Sequence, residues 1–256
     1  MHLMNNKWVL NEGRIEMPEI KKVKGRVKTY IQDLDERMQG GIPQGYVVLV
    51  CGTAGSMKSS FTFNIIYNAA KNEGKKGLYV SLEQERGSLL RQMKKLGMNI
   101  KEVKELITLI ELREPIKRGG KDTFFKKGDW MEALLSQIQN YKKTMGFELL
   151  VIDSLDALYA LTTIKDPRTE IFHFFRGLRN LGITTFIITE MPQSRKEFGK
   201  YEVESFLSDG IFHLAIERLG NTVGRFVNIA KMRETKHATN FFPLVVDENG
   251  FAIIAK

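Results

Sequence analysis

The sequence predicts an α/β fold: a mostly parallel central sheet with helices on both faces and antiparallel strands at its C-terminal edge. Three observations carry this. Short β-rich runs recur at 46–51, 77–82, 107–111, 148–153, 183–189, 211–217 and 226–231, with helix-like segments between several of them at 60–72, 86–96, 130–144 and 168–180. The run from Leu149 to Ile152 is continuously apolar, the pattern of a strand buried on both faces. After about residue 205, strand-like runs follow one another directly, with turn residues between them at Asn221 and Gly224 and again at Glu248, Asn249 and Gly250. That reads as an antiparallel hairpin or meander.

Residues 1 to 26 mix Lys, Glu and Asn with isolated apolar residues and hold no period, so they read as an appendage: an edge strand or an arm on a neighbouring subunit. A single large domain is expected over 27–256. The least regular stretch, Arg113 to Asp129, contains Gly119, Gly120 and Gly128 and reads as an exposed loop or insertion.

Composition narrows the function classes. The 256 residues are 43% hydrophobic and 27% charged, ordinary for a globular protein. No apolar run approaches the roughly 20 residues that cross a bilayer, and Met1 to Trp8 lacks the apolar core of a secretion signal. The one cysteine, Cys51, ends a predicted buried strand and is expected to pack in the core, which fits a reduced, cytoplasmic setting. The net charge of +9 makes nucleic acid a partner to weigh, but much of the excess sits on helix-like surfaces and in 113–127, where lysines serve as solvated faces. His2, His173, His213 and His237 show no metal-ligand spacing.

The most informative segment is Gly52, Thr53, Ala54, Gly55, Ser56, Met57, Lys58, Ser59 and Ser60, between an apolar run and a helix-like segment. Strand, Gly-rich loop, Lys-Ser and helix form the arrangement that holds a nucleoside triphosphate. Glycines let the chain curl so that backbone N–H groups converge on an anion, and the helix adds its positive end. Lys58 is expected to reach the β and γ phosphates of ATP, and the Ser59 hydroxyl to ligate Mg²⁺. Met57 stands where the pattern has its second glycine. A side chain there costs on the order of 1 kcal/mol if the backbone must turn left-handed. The reading is that the loop tolerates this.

Two carboxylates complete the expected site. Asp153 ends the strand-like run from Phe147 and takes the Mg²⁺-orienting role. Glu83 follows the run Gly77 to Leu82 and is the candidate base that polarises water.

These residues together resemble the KaiC-like branch of the RecA/RadA ATPases. The likeness extends to Arg26 through Asp35, the turn Gly40 to Gly45, Tyr79 to Gln84, Ile187 to Glu190, and Lys231, Met232 and Arg233 followed by Thr235 and His237. It implies a RecA-like core assembled into a homo-oligomeric ring, often of six subunits, with ATP between adjacent subunits. Lys231 and Arg233 would then reach a neighbour's γ-phosphate, with Met232, Thr235 and His237 near that nucleotide. Their alternation along a strand places Lys231 and Arg233 on one face. The resemblance also implies a cis peptide at Asp153–Ser154. The chain has one P-loop, like a single-domain family member rather than the duplicated clock protein. It departs from the family at Met57, at Gln84 in place of a second glutamate, and at Glu234 in place of a glycine. A neutral Gln84 removes a like charge that would have raised the Glu83 pKa.

The leading function is therefore an ATP-binding, slowly hydrolysing regulatory or signalling ATPase. A DNA-binding recombination ATPase is the first alternative: Arg195, Lys196, Phe198, Lys200 and Tyr201 could bind phosphates and stack bases, though Glu197, Glu202 and Glu204 dilute that charge. A nucleotide-sensing scaffold is another. Autophosphorylation would fall on Ser205 or Ser208 by analogy with the clock protein.

Overall fold

The structure is a computed structural model. It describes residues 10–11, 14–15, 25–112, 130–191, 198–247 and 250–254. The expected insertion at 113–129 lies outside these residues, as do Arg195, Lys196 and Glu197. Of the expected appendage, Leu10–Asn11 pairs with Arg14–Ile15 as a short antiparallel ladder.

Nine strands form one sheet: β1 (Val47–Gly52), β2 (Gly77–Ser81), β3 (Ile107–Glu111), β4 (Leu149–Asp153), β5 (Thr184–Glu190), β6 (Gly210–Leu219), β7 (Thr222–Met232), β8 (Phe241–Asp247) and β9 (Gly250–Ile253). Their order across the sheet is β9-β8-β7-β6-β1-β5-β4-β2-β3. From β6 through β1 to β3 every pairing is parallel, and from β6 to β9 every pairing is antiparallel. The mostly parallel sheet with an antiparallel C-terminal edge is the architecture the sequence predicts.

The helices are α1 (Lys58–Glu73), α2 (Arg86–Lys95), α3 (Trp130–Met145), α4 (Leu155–Leu161), α5 (Pro167–Asn180) and α6 (Val203–Leu207). All six residues of β1 are buried, because the strand alternates between two cores. Val48 and Val50 join Phe61, Phe63, Phe186 and Phe212 on the α1 face. Val47, Leu49 and Cys51 join Trp130, Phe175 and Ile187 on the face of α3, α4 and α5. Cys51 is fully buried, as expected, and burial pushes its thiol pKa up.

Local signals set the boundaries. Asp166 caps α5 by accepting from the Thr169 N–H at 3.3 Å, with Pro167 in its first turn. Gly74 ends α1 with φ 67°, a left-handed residue that lets the chain turn away. The β6–β7 connection corrects one expectation. The two-residue turn is Gly220–Asn221, with Gly220 at φ 62°, while Gly224 lies inside β7 opposite Glu217. A Cβ on Gly224 would come within 2.8 Å of Leu219 Cδ1, so the glycine serves side-chain packing within the ladder rather than the turn. Phe174 and Phe175 pack in the core, whereas Phe172 is exposed.

Parallel register brings the chemistry to one edge. Gly52 pairs with Glu190 and Ser81 with Asp153, so the carboxyl ends of β1, β2, β4 and β5 finish level. In open α/β sheets this edge is where ligands bind.

Candidate functional site

The loop from β1 to α1 curls through two left-handed residues, Gly55 at φ 81° and Met57 at φ 71°, ψ 27°. Met57 thus adopts the backbone that a glycine would take at little cost, and its side chain packs against the α1-face core. The curl is close-fitting at its start: a Cβ on Gly52 would lie 2.4 Å from the Leu214 carbonyl oxygen and 2.5 Å from Ser56 Oγ. Lys58 is buried, and its ammonium donates to the carbonyl oxygens of Gly52 at 3.0 Å and Thr53 at 3.1 Å. The charge is held at the mouth of the loop by the loop itself. Ser56 Oγ is buried without a hydrogen-bond partner.

Behind the loop stands Asp153, buried at the end of β4. The Tyr79 hydroxyl, from β2, donates to Asp153 Oδ2 at 2.6 Å. Burial raises the Asp153 pKa above the usual carboxylate range, while hydrogen bonds from Tyr79 and Ser59 and the charge of Lys58 pull against that rise. Ser59 and Asp153, from two different elements, therefore meet as a hydroxyl–carboxylate pair beside the loop, the oxygen donor types that Mg²⁺ takes.

Glu83 follows β2. Its side chain reaches solvent at the rim, yet the walls of the edge desolvate it enough to raise its pKa. The neighbouring charges of Asp153, Glu190 and Asp156 raise it further, and the Ser154 hydroxyl, which donates to Glu83 Oε1, lowers it. That same hydroxyl oxygen accepts from the Ala157 N–H at 3.2 Å and so caps α4. Because the cap uses Ser154 Oγ as an acceptor, its single proton is free to point at Glu83. The Asp153–Ser154 peptide is cis. Asp156 Oδ2 accepts from the Glu190 N–H at 2.7 Å, tying α4 to the end of β5. Gln84 turns toward α2, where its amide donates to Ser88 Oγ at 3.1 Å and Gln92 Oε1 at 3.3 Å, and Gln92 in turn donates to Ser60 Oγ at 3.3 Å.

Lys231 and Arg233 are not at this edge. Gly210 pairs with both Val48 and Met232, whereas Gly52 pairs with Leu214. The two cations thus sit at the opposite end of β1 and β6, four residues or roughly 13 Å along the sheet. Both reach the C-terminal end of α6. The Lys231 ammonium donates to the carbonyls of Ser205 and Ser208, each at 2.7 Å, and Phe206 at 3.4 Å. Arg233 donates to Phe206 O and to Asp209 Oδ1, each at 2.9 Å. Asp209 also accepts from Arg179 at 2.8 Å and from the Val47 N–H at 3.0 Å. Burial and the charge of Arg233 lower the Lys231 pKa to about 8. Met232 is buried in its own core, Thr235 accepts from Arg26 at 3.2 Å, and His237 Nδ1 lies 3.1 Å from the Ala238 carbonyl.

The aromatics weighed for base stacking are engaged within the chain. Phe198 packs edge-on against His213 with centroids 5.4 Å apart, and Tyr201 against Tyr159 at 5.0 Å. Ser208 is fully buried, and Ser205 Oγ donates to the Glu202 carbonyl at 3.0 Å. Among the described residues no group of three or more His, Cys, Asp or Glu could hold a metal, and no helix is long and apolar enough to cross a membrane.

Sequence reasoning missed two residues that organise this region. Asp209 collects three donors, and Glu204 is fully buried on α6. Neither could be read from sequence, since the three donors to Asp209 and the Tyr159 hydroxyl that meets Glu204 all come from distant parts of the chain.

A family model described as "ATPase: KaiC" matches residues 27–256. The circadian clock oscillator protein KaiC of Parasynechococcus marenigrum is 29% identical over 231 residues, covering 89% of this chain and 44% of that protein. The chain therefore spans less than half the length of that relative. A UPF0273 protein of Aeropyrum pernix is 27% identical over 89% of this chain and 93% of its own length. The crystal structure of a KaiC-like protein from Pyrococcus horikoshii OT3 superposes with a TM-score of 0.75 at 27% identity, covering 90% of this chain and 99% of that one. The chain belongs to the KaiC family of ATPases.

Proposed function

We propose that the chain binds ATP with Mg²⁺ and hydrolyses it slowly, in a ring of identical subunits, six by family resemblance, that serves a regulatory or signalling role. The observation that carries this reading is the meeting of Lys58, Ser59, Asp153 and Glu83 at one sheet edge, from three separate chain segments. Lys58 and the curled loop would hold the β and γ phosphates. Ser59 and Asp153 would hold Mg²⁺, which supplies charge neutralisation to the phosphates when bound. Glu83, with one oxygen fixed by Ser154, keeps the other to take a proton from attacking water.

Lys231 and Arg233 sit at the opposite end of β1 and β6 from their own loop, which supports a role at a neighbour's phosphate. Basic residues in trans at a γ-phosphate stabilise charge developing in the transition state. Only the backbone of Met232 is available to such a neighbour. The engagement of Phe198 and Tyr201 within the chain favours this reading over base stacking on single-stranded DNA.

Phosphate release by the parent chain and by Glu83→Gln tests the hydrolytic part. The substitution is expected to lower turnover by about 10²-fold or more, the usual worth of a general base. Turnover equal to the parent's would remove Glu83 from the chemistry.

A further inference from the structure

Glu204 is a buried carboxylate that none of the chemistry above uses. It has no exposed surface. Its Oε1 accepts from the Tyr159 hydroxyl at 2.8 Å and the Tyr201 N–H at 3.2 Å, and its Oε2 has no partner. The surrounding chain is shaped to admit it. Gly199, at φ 116°, passes so near that a Cβ there would lie 2.7 Å from Glu204 Cδ. A carboxylate buried with half its acceptors unmet costs stability, and an apolar side chain would fill the space at lower cost.

The geometry says what Glu204 holds. It sits on α6, a five-residue helix too short to persist alone. Its bond to Tyr159 fixes α6 to α4, which is capped by Ser154, the partner of Glu83. The carbonyls at the other end of α6 carry Lys231 and Arg233. All three N–H groups of Lys231 are directed at Ser205, Phe206 and Ser208, so the ammonium cannot meet a phosphate without giving up one of them. The placement of α6 therefore sets where the pair stands.

We propose that Glu204, anchored by Tyr159, is a positioning residue that acts through α6 to set Lys231 and Arg233 relative to α4. This rests on the reading that the pair serves a neighbour's phosphate. It makes α6 an element touched from both sides: by the α4 that leaves one subunit's own acidic edge, and by the cations that serve the next subunit. A shared element biased from two sites is what coupling between sites requires.

Two measurements test it. The first is amide hydrogen exchange of 203–208 in the full chain. Tyr159→Phe removes the donor and little else, and is expected to speed exchange there at least tenfold while α1 keeps its protection. Glu204→Gln retains an oxygen for both donors and is expected to stay within about twofold of the parent. Unchanged exchange in a folded Tyr159→Phe chain overturns the proposal.

The second is mixed assembly. Chains carrying Glu83→Gln are mixed with chains carrying Lys231→Ala and Arg233→Ala, so that only hybrid contacts hold both halves. Tyr159→Phe is then added to one kind of chain at a time. The proposal expects a several-fold loss of restored turnover when it sits on the Glu83→Gln chain, which supplies the cations. A loss that follows the other chain overturns the proposal. Mixtures of the parent variants that restore nothing remove the trans reading itself, while the exchange result still decides whether Glu204 holds α6.

Discussion

The Tyr79 hydroxyl and the Asp153 carboxylate meet at 2.6 Å inside the sheet, joined across 74 residues by the pairing of β2 with β4. The carboxylate expected to orient Mg²⁺ is thus desolvated and held by a protein donor at once. Burial raises its pKa, so ionising this carboxyl costs more in the folded chain than in the unfolded one. The sign follows: this group's contribution to stability is present below the unfolded pKa and is lost as pH rises through the folded one. Asp153→Asn is therefore expected to raise Tm at neutral pH and to abolish the Mg²⁺ dependence of nucleotide binding. The gain should shrink as pH falls into the acid range. Thermal melts at neutral and acid pH, with and without Mg²⁺ and ATP, check both parts.

Glu83 gives a kinetic counterpart. Burial and the charges of Asp153, Glu190 and Asp156 raise its pKa, and the Ser154 hydroxyl lowers it. A base works deprotonated, so kcat/KM should rise with pH along an acid limb above the usual carboxylate range. Ser154→Ala removes the lowering bond and should move that limb to higher pH. It also removes the cap of α4, at a cost of about 1 kcal/mol. A pH profile and a denaturant melt separate the two effects.

Lys231 supplies the alkaline side. With its pKa lowered to about 8 by burial and Arg233, the Lys231 ammonium loses its proton as pH rises past that point. An alkaline limb in kcat/KM near pH 8 is expected. Lys231→Arg should remove the limb, because a guanidinium stays charged to above about pH 12, while lowering the plateau through its different shape. A limb unchanged in the arginine variant would assign it elsewhere.

The fold was legible because buried strands write themselves as apolar runs. The run 46–51 became β1 at Val47–Gly52, and 183–189 became β5 at Thr184–Glu190. The two short helices escaped. α4 holds seven residues and α6 five, too few for a helical period to be read. Gly224 misled because a glycine needed for side-chain room looks, in sequence, like one needed for a turn. Within the site, Lys58 and Ser59 were read from their offset in the Gly-rich loop, and Asp153 from its place at the end of an apolar run taken together with that loop. Glu204 could not: in sequence it is one of several glutamates near a basic loop, and only the approach of Tyr159 from α4 reveals it. Met57 shows the limit from the other side. Its identity raised the question of strain, and the left-handed φ of 71° answers that the loop keeps its curl with a side chain present.

The central claim is that this curl is a nucleotide cradle. Equilibrium titration of the chain with ATP and Mg²⁺, beside Lys58→Ala, tests it most directly. Saturable binding by the parent, lost or weakened by at least tenfold in the variant, is the predicted result. Parent chain that binds no nucleotide, or a variant that binds as tightly as the parent, would contradict it.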